Sequence, residues 1–555
     1  MAAHVAERRY RVVLAVAAGL PLVFLALFFA WPAATLVARG FTSEAGSWDL
    51  SAFQEVSARP RTWRIIGLTL GMATAGTAVS VLLGIPGAYA LYRCRFPGYL
   101  LARAIVAVPF VLPTVVVGVA FRSLLAPGGW LDFLQLDGTV TAVVAAMVFF
   151  NYSLVVRNVG MLWARLDPRQ VQAARALGAT PLRAFATVTL PSLMPAIASA
   201  ASVVFLFCAT AFGIVLILGG VELATIESEI YLLTTTFLDL RAAAVLSIVQ
   251  LVVIAVSLAV AGQARKRSER ALNLRPDPFA HTPGRADVPA LAITAVVIVG
   301  LIVMPVAQLL WRSLHRAGEF TLANYRDLAD AGATRAVRVS AVQAAGTSIL
   351  VALLAAAIAL VVGVAVALVV TRRPRTRARR RALAILDATF MLPLGVSAVT
   401  VGFGFLITMN RPPLDLRSSF WLVPLAQAVV AVPLVVRILS PVLRAISPRQ
   451  REVAATLGAS PLRVLATIDG AHLLRAGGVA AGFALAVSLG EFGATSFLAR
   501  PESPTLPVVI YRLISRPGAV DQGMAMAASV VLAALAATIM VLVERTRPAQ
   551  AGGFA

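Results

Sequence analysis

The sequence predicts an all-α integral membrane protein, a bundle of twelve transmembrane helices arranged as two parallel six-helix repeats. Three observations carry that expectation. Of 555 residues, 59% are hydrophobic and 13% charged, with mean hydropathy +0.87, which is outside the range of soluble domains. The apolar runs are long, unbroken and rich in Ala, Leu, Val and Gly, whereas a membrane β-barrel would show weak alternating segments of about ten residues. Finally, residue i matches residue i+280 over a long, gap-free register.

Stretches of about 20 apolar residues fall near 12–37, 63–91, 100–124, 138–164, 192–218, 240–263, 289–311, 338–371, 382–407, 419–440, 472–498 and 522–543. The first is followed by Arg39, Phe41 and Thr42 rather than by an Ala-x-Ala cleavage site, so it reads as a retained helix. Residues 264–288 are polar, with several Pro and Gly. They read as a cytoplasmic linker between a first half, 1–263, and a second half, 289–555.

Arginine sets the expected orientation, because basic loops resist translocation. With both termini in the cytoplasm, the inner segments carry Arg8, Arg9 and Arg11, then Arg93, Arg95 and Arg103, then Arg165, Arg169, Arg175 and Arg183. Arg265, Lys266, Arg267 and Arg270 follow, and then seven arginines within 372–381. The outer segments 125–137 and 219–240 contain no Lys or Arg, and the second carries Glu222, Glu227, Glu229 and Asp239. Outer segment 312–337 is itself basic and runs against the pattern. A net charge of +23 concentrated in loops beside apolar spans fits contact with anionic membrane lipid, and no nucleic-acid partner is expected.

Little points to chemistry. Cys94 and Cys208 cannot form a disulfide framework, and with His at 4, 281, 315 and 472 no metal-ligand cluster is expected. No GxxxxGK[ST] phosphate loop exists and Lys266 is the only lysine, so the chain is not an ATPase of that type. No nucleophile–base pair stands out, so no catalytic residue is assigned.

The repeat is strongest outside the spans. Residues 167–190 align with 447–470 with twelve of twenty-four positions identical. The same offset pairs Leu112-Pro113 with Leu392-Pro393, Leu154–Arg157 with Leu434–Arg437, Phe212-Gly213 with Phe492-Gly493, and Ile230-Tyr231 with Ile510-Tyr511. Six spans separate the copies, so the two halves are parallel. Asp167 and Ser447 are candidate N-caps, followed by Pro168 and Pro448 at the first helical position. Gly178 and Gly458 suit the left-handed residue that ends a short helix, and Thr180-Pro181 and Ser460-Pro461 start a second. Ala173, Ala174, Ala454 and Ala455 leave the first helix of each loop smooth on one face.

These loops resemble the cytoplasmic signature of the membrane permeases of binding-protein-dependent ABC importers: Glu-Ala-Ala, three residues, Gly, nine residues, Ile-x-Leu-Pro. The first copy has Gln172, Ala173, Ala174, Gly178, Val188, Leu190 and Pro191. The second has Glu452, Val453, Ala454, Gly458 and Ile468, but Gly470 and Ala471 replace Leu-Pro. The resemblance implies a fused type I permease supplying both transmembrane halves, with loops 165–191 and 445–471 each holding a coupling helix. It further implies two copies of an ATP-binding subunit, which carry ATP and Mg, and an extracytoplasmic solute-binding protein. Such a chain is a transport subunit rather than an enzyme, and it sits in the inner membrane. LILGG before ATIESEIY, and SLGEFG before TLPVVIY, are most similar to thiamine permeases, with ferric-iron permeases next. The competing class, a twelve-span secondary transporter using an ion gradient, predicts intramembrane charged pairs and an undistinguished loop after the fourth span.

Within the spans, Glu491 is the most notable polar residue, since its repeat partner is Ala211. It reads either as a pathway or gate carboxylate or as a packing carboxylate satisfied by a neighbour. Asn151 and Gln427 are further pathway candidates. The matched outer segments 219–233 and 500–514 offer Glu227, Glu229, Tyr231 and Tyr511 as candidates for docking the binding protein.

Overall fold

The computed structural model describes residues 2–43, 47–268, 279–330, 339–372, 376–410, 414–416 and 418–545. Among these residues the chain is almost wholly helical, with one short hairpin pairing His315–Arg316 with Glu319–Phe320. Among the described residues ten helices are long and apolar enough to span a membrane, and a bent pair makes an eleventh candidate, so the expected count of twelve spans is not confirmed.

The two expected spans that fail do so at the same repeat position. The third is cut at Leu112-Pro113 into Tyr99–Val111 and Thr114–Leu125, which meet at 109°. Proline forces the preceding residue out of helical conformation, and Leu112 is extended, with φ −74° and ψ 133°. The ninth is interrupted by a tight turn, Leu392–Gly395, around Pro393. It resumes as Ala398–Thr408, where the Ser397 hydroxyl accepts the Thr400 N–H at 3.0 Å. The fifth and eleventh expected spans also stop early, at Ala209 and Leu489, and short helices Gly213–Leu218 and Thr495–Leu498 follow.

Small residues let the long helices approach closely, as membrane packing requires. Pro60–Arg93 lies along Val140–Arg165, and a Cβ at Gly84 would sit 2.5 Å from Val155. Ala341–Val370 lies along Leu422–Ala445 in the same way, and a Cβ at Gly363 would sit 2.5 Å from Val435. Each half lends its first helix to the other. The span Ala15–Gly40 packs on Ala341–Val370 and Ala398–Thr408, while Arg285–Ser313 packs on Pro60–Arg93 and Thr114–Leu125.

The expected linker 264–288 is only partly a linker. Helix Leu240–Ser268 runs into it, and residues 269–278 lie outside the described residues. Its last third is bound to the first half: the Phe279 N–H donates to the Ala164 carbonyl at 2.7 Å, and His281 exchanges backbone hydrogen bonds with Arg93 and Arg95. At the opposite end of the bundle, basic residues are paired with acids. Arg61 grips Glu229 with two hydrogen bonds of 2.8 Å, Arg59 meets Asp239, Arg241 meets Asp49, and Arg316 meets Asp327. The basic segment 312–337 that runs against the arginine pattern is thus partly neutralised within the fold.

Candidate functional site: paired loop helices and an aromatic axis

The matched loops fold as matched motifs. Helices Pro168–Ala176 and Pro448–Thr456 are followed by Pro181–Ala184 and Pro461–Val464, each 280 positions apart. The Asp167 carboxylate accepts the Arg169 N–H at 3.0 Å and caps the first helix. Ser447 does not cap with its side chain; its carbonyl instead accepts the Gln450 N–H. Gly178 and Gly458 take φ of +87° and +81°, the left-handed geometry glycine adopts without a Cβ penalty. The residue after each closes the helix end: Ala179 donates to the Ala174 carbonyl and Ala459 to the Ala454 carbonyl. Thr180 and Ser460 cap the second helices by accepting from Arg183 and Arg463 at 3.3 Å.

Neither loop helix buries a residue. Gln172, Ala173, Gly178, Glu452 and Gly458 are exposed, and Ala174, Ala454 and Pro191 are half-buried. The most exposed apolar side chains here were not singled out from the sequence: Leu177 is 90% and Leu457 83% accessible, just before the two glycines. Their identity at the same repeat position was the available signal. The loops differ in bracing. Asp469, 1% exposed, accepts from Arg451 at 2.7 and 2.9 Å and pairs with Arg372 at 3.5 Å. The corresponding positions in the first loop, Thr189 and Val171, cannot form that clamp.

The second feature lies where the fifth and eleventh helices break. Phe212 and Phe492 stack with centroids 5.3 Å apart, and Tyr231 and Tyr511 meet edge to face at 6.1 Å. Phe212 touches Tyr231 and Phe492 touches Tyr511, both at 5.4 Å. Both like pairs are repeat partners, so the quartet straddles the approximate two-fold relation between the halves. Glu491 shapes the second break. Its carboxylate accepts the Ala494 N–H at 2.7 Å, the Thr495 N–H at 3.0 Å and the Thr495 hydroxyl, while the Gln427 amide donates to that hydroxyl at 3.0 Å. Glu491 and Gln427 are therefore brought together, and Glu491 does the work of a helix cap beside Phe492. Asn151 stands outside this network, donating to the Met147 carbonyl at 2.9 Å and the Cys208 sulfur at 3.4 Å.

The expected docking carboxylates are not on the surface. Glu227 is fully buried, accepting the Gln250 amide at 2.8 Å and the Ser397 hydroxyl at 2.9 Å, and so ties helix Ile226–Thr235 to the second half. Glu229 is 4% exposed and held by Arg61. A carboxylate in apolar surroundings is stabilised by such partners, and neither carboxylate is presented to the surface. Tyr231 and Tyr511 are half-buried in the aromatic quartet.

One grouping of side chains was not visible from the sequence spacing. Cys94, His281 and Asp287 present ligand atoms within 4.8 Å of one another, so three potential metal ligands do cluster. Burial pushes the Cys94 thiol up to about 11.

The thiamine transport system permease protein ThiP of Brucella abortus is 26% identical to this chain over 97% of it and 96% of that protein. Its Escherichia coli counterpart is 26% identical over 82% of this chain and 85% of that protein. The sulfate transport system permease protein CysT of Salmonella typhimurium is 34% identical over 36% of this chain and 73% of that protein. Among solved structures, a bacterial ABC transporter involved in alginate import aligns with TM-score 0.38 and 17% identity, covering 44% of this chain and 91% of that one. No protein-family profile matches. With relatives matched along nearly its whole length, the chain belongs to the membrane permeases of ABC importers, in the fused form that carries both halves on one polypeptide.

Proposed function

We propose that this chain is the membrane subunit through which a binding-protein-dependent importer carries thiamine into the cytoplasm, powered by ATP hydrolysis on a separate subunit. The observation that carries the reading is the pair of exposed leucines, Leu177 and Leu457, at the C-terminal ends of two smooth helices at one end of the bundle. An apolar side chain presented to water at matched positions in loops outside the spans fits a docking knob for a partner. Two knobs suit two copies of an ATP-binding subunit, one under each half, with ATP and Mg bound there. The arginines of the inner segments support a cytoplasmic position for these loops and both termini.

The same arrangement supports a reading of alternating access. Helices 168–176 and 448–456 move with the ATP-binding subunits, and the aromatic quartet parts and recloses between an outward and an inward cavity. Thiamine is favoured over ferric iron by the nearly full-length similarity to thiamine permeases. The four aromatic rings on the axis also suit passage of an organic cation. A solute-binding protein delivers the cargo at the outer face. Its docking surface does not use the buried Glu227 and Glu229.

The test is purification of the full chain from membranes, with mass spectrometry of copurifying proteins, for wild type and a Leu177→Asp, Leu457→Asp double variant. Recovery of an ATP-binding subunit with wild type and its loss with the variant supports the coupling assignment. ATP-dependent uptake of labelled thiamine, and not ferric iron, into vesicles supports the cargo. Uptake driven by a proton gradient with no ATP-binding subunit would overturn the reading.

A further inference from the structure

Away from the aromatic axis, the end of the bundle that carries the loop helices holds a cluster that the transport reading leaves unused. Cys94 ends helix Pro60–Arg93 in extended conformation, φ −105° and ψ 138°. That geometry lets it pair with the incoming chain: Arg95 N–H donates to the His281 carbonyl at 2.8 Å, and His281 N–H donates to the Arg93 carbonyl at 2.9 Å. The turn that follows brings Asp287 back beneath His281, with the Gly284 N–H donating to its carboxylate at 2.8 Å. Cys94 thus meets two residues from a single turn about 190 positions later, where the second half begins.

We propose that Cys94, His281 and Asp287 form a site for a zinc-like divalent cation that clasps the start of the second half to the first. A thiolate, an imidazole and a carboxylate together are the donor set of a borderline transition cation; calcium and magnesium favour all-oxygen sites. The geometry is close to what zinc needs. His281 Nε2 and Asp287 Oδ2 lie 3.1 Å apart. Two ligands each about 2.0 Å from a tetrahedral zinc are separated by roughly 3.3 Å. The Cys94 sulfur is within 4.8 Å of both, so a small side-chain rotation brings it to the third vertex. Tyr89 donates to the other carboxylate oxygen at 2.6 Å and orients it, the outer contact that metal-binding side chains commonly have. Cys94 and Asp287 are buried while the His281 side chain is about one-third accessible, which leaves a route for the ion and a fourth position for water. The neighbouring cation, Arg93, is engaged over the Phe279 ring at 4.8 Å and at the Trp163 and Leu166 carbonyls.

The competing account is a hydrogen-bonded tie, Tyr89–Asp287–His281, beside an inert thiol. The two separate on metal binding to the full chain in detergent, purified with a tag that contains no histidine. After equilibration with zinc and extensive dialysis, the proposal expects about one zinc ion per chain for wild type. Background levels are expected for Cys94→Ser and for His281→Ala. Cobalt(II) in place of zinc is expected to give a thiolate-to-metal charge-transfer band, kept by Cys208→Ser and lost by Cys94→Ser. The wild-type band with Cys208→Ser as control decides the matter even if a ligand variant fails to fold. Wild type without bound zinc, or zinc retained undiminished by Cys94→Ser, would overturn the site. Neither result depends on the cargo or on the ATP-binding subunit.

Discussion

Phe212 and Phe492 occupy the same position in the two halves and stack on each other, ring planes 19° from parallel. Two copies of one residue can meet only where the relation between the halves brings them to a shared axis. Tyr231 and Tyr511 do the same one layer away. On the proposed reading, a solute crossing between the halves separates these pairs. An aromatic pair contributes about 0.5–1.5 kcal/mol beyond its burial, strong enough to seal and weak enough to part. The double variant Phe212→Ala, Phe492→Ala is therefore expected to leak. In proteoliposomes without ATP, thiamine efflux should rise roughly tenfold, which corresponds to about 1.4 kcal/mol off the barrier. Efflux equal to wild type would mean the seal lies elsewhere.

Leu177 and Leu457 are expected to act as separate contacts. Burying one leucine contributes about 1.5–3 kcal/mol, so Leu177→Asp or Leu457→Asp alone should weaken ATP-binding-subunit association by roughly tenfold to a hundredfold. Both side chains are exposed in the isolated chain, so thermal stability in detergent should stay within about 0.5 kcal/mol of wild type. Affinity titration beside a melting curve distinguishes a docking defect from a folding defect.

The loop helices were legible in sequence because short-range rules decide them: proline at the first helical position and glycine in left-handed conformation each act within one turn. The breaks at Leu112-Pro113 and Leu392-Pro393 were visible as a repeated proline, yet averaging hydropathy over about 20 residues runs straight through them. Glu227 and Glu229 were misplaced for a different reason. Their partners Gln250, Ser397 and Arg61 lie 23, 170 and 168 positions away, so only the folded chain shows that these carboxylates face inward. Cys94 and His281 meet on the same terms, joined by a segment that reads as a polar linker. Leu177 and Leu457 were legible as identical residues, but exposure is a property of the surroundings and not of the residue.

Asp469 makes the second loop mechanically different from the first. It is buried and gripped by Arg451 from the loop helix and Arg372 from the preceding loop. Asp469→Asn keeps the shape and removes the charge, which should cost about 1–3 kcal/mol of local stability. The expected phenotype is poorer coupling: fewer thiamine molecules moved per ATP hydrolysed, with ATP-binding-subunit association largely kept. Thr189→Ala, at the matching position of the first loop, should leave the ratio unchanged. Parallel measurement of uptake and phosphate release tests both, and an unchanged ratio in Asp469→Asn would remove the clamp from the coupling path.

Gly84 and Gly363 test whether the two halves are packed by one rule. Each faces a valine, Val155 or Val435, so closely that a Cβ would come within 2.5 Å of it. Gly84→Ala and Gly363→Ala should each destabilise the chain by about 1–3 kcal/mol through overpacking, against the gain of up to about 1 kcal/mol that alanine brings to a helix. Gly71→Ala, in the same helix as Gly84 with nothing within 4 Å of its Cβ, should show only the gain. Pairing each change with Val155→Ala or Val435→Ala should restore much of the loss. Melting temperatures in detergent give the comparison. Similar losses and similar rescue in both halves would show that the helix contact was duplicated with the loops. A loss confined to Gly84 would mean that the helices around Gly363 can slide apart to make room, and hence that the second half is the more mobile partner.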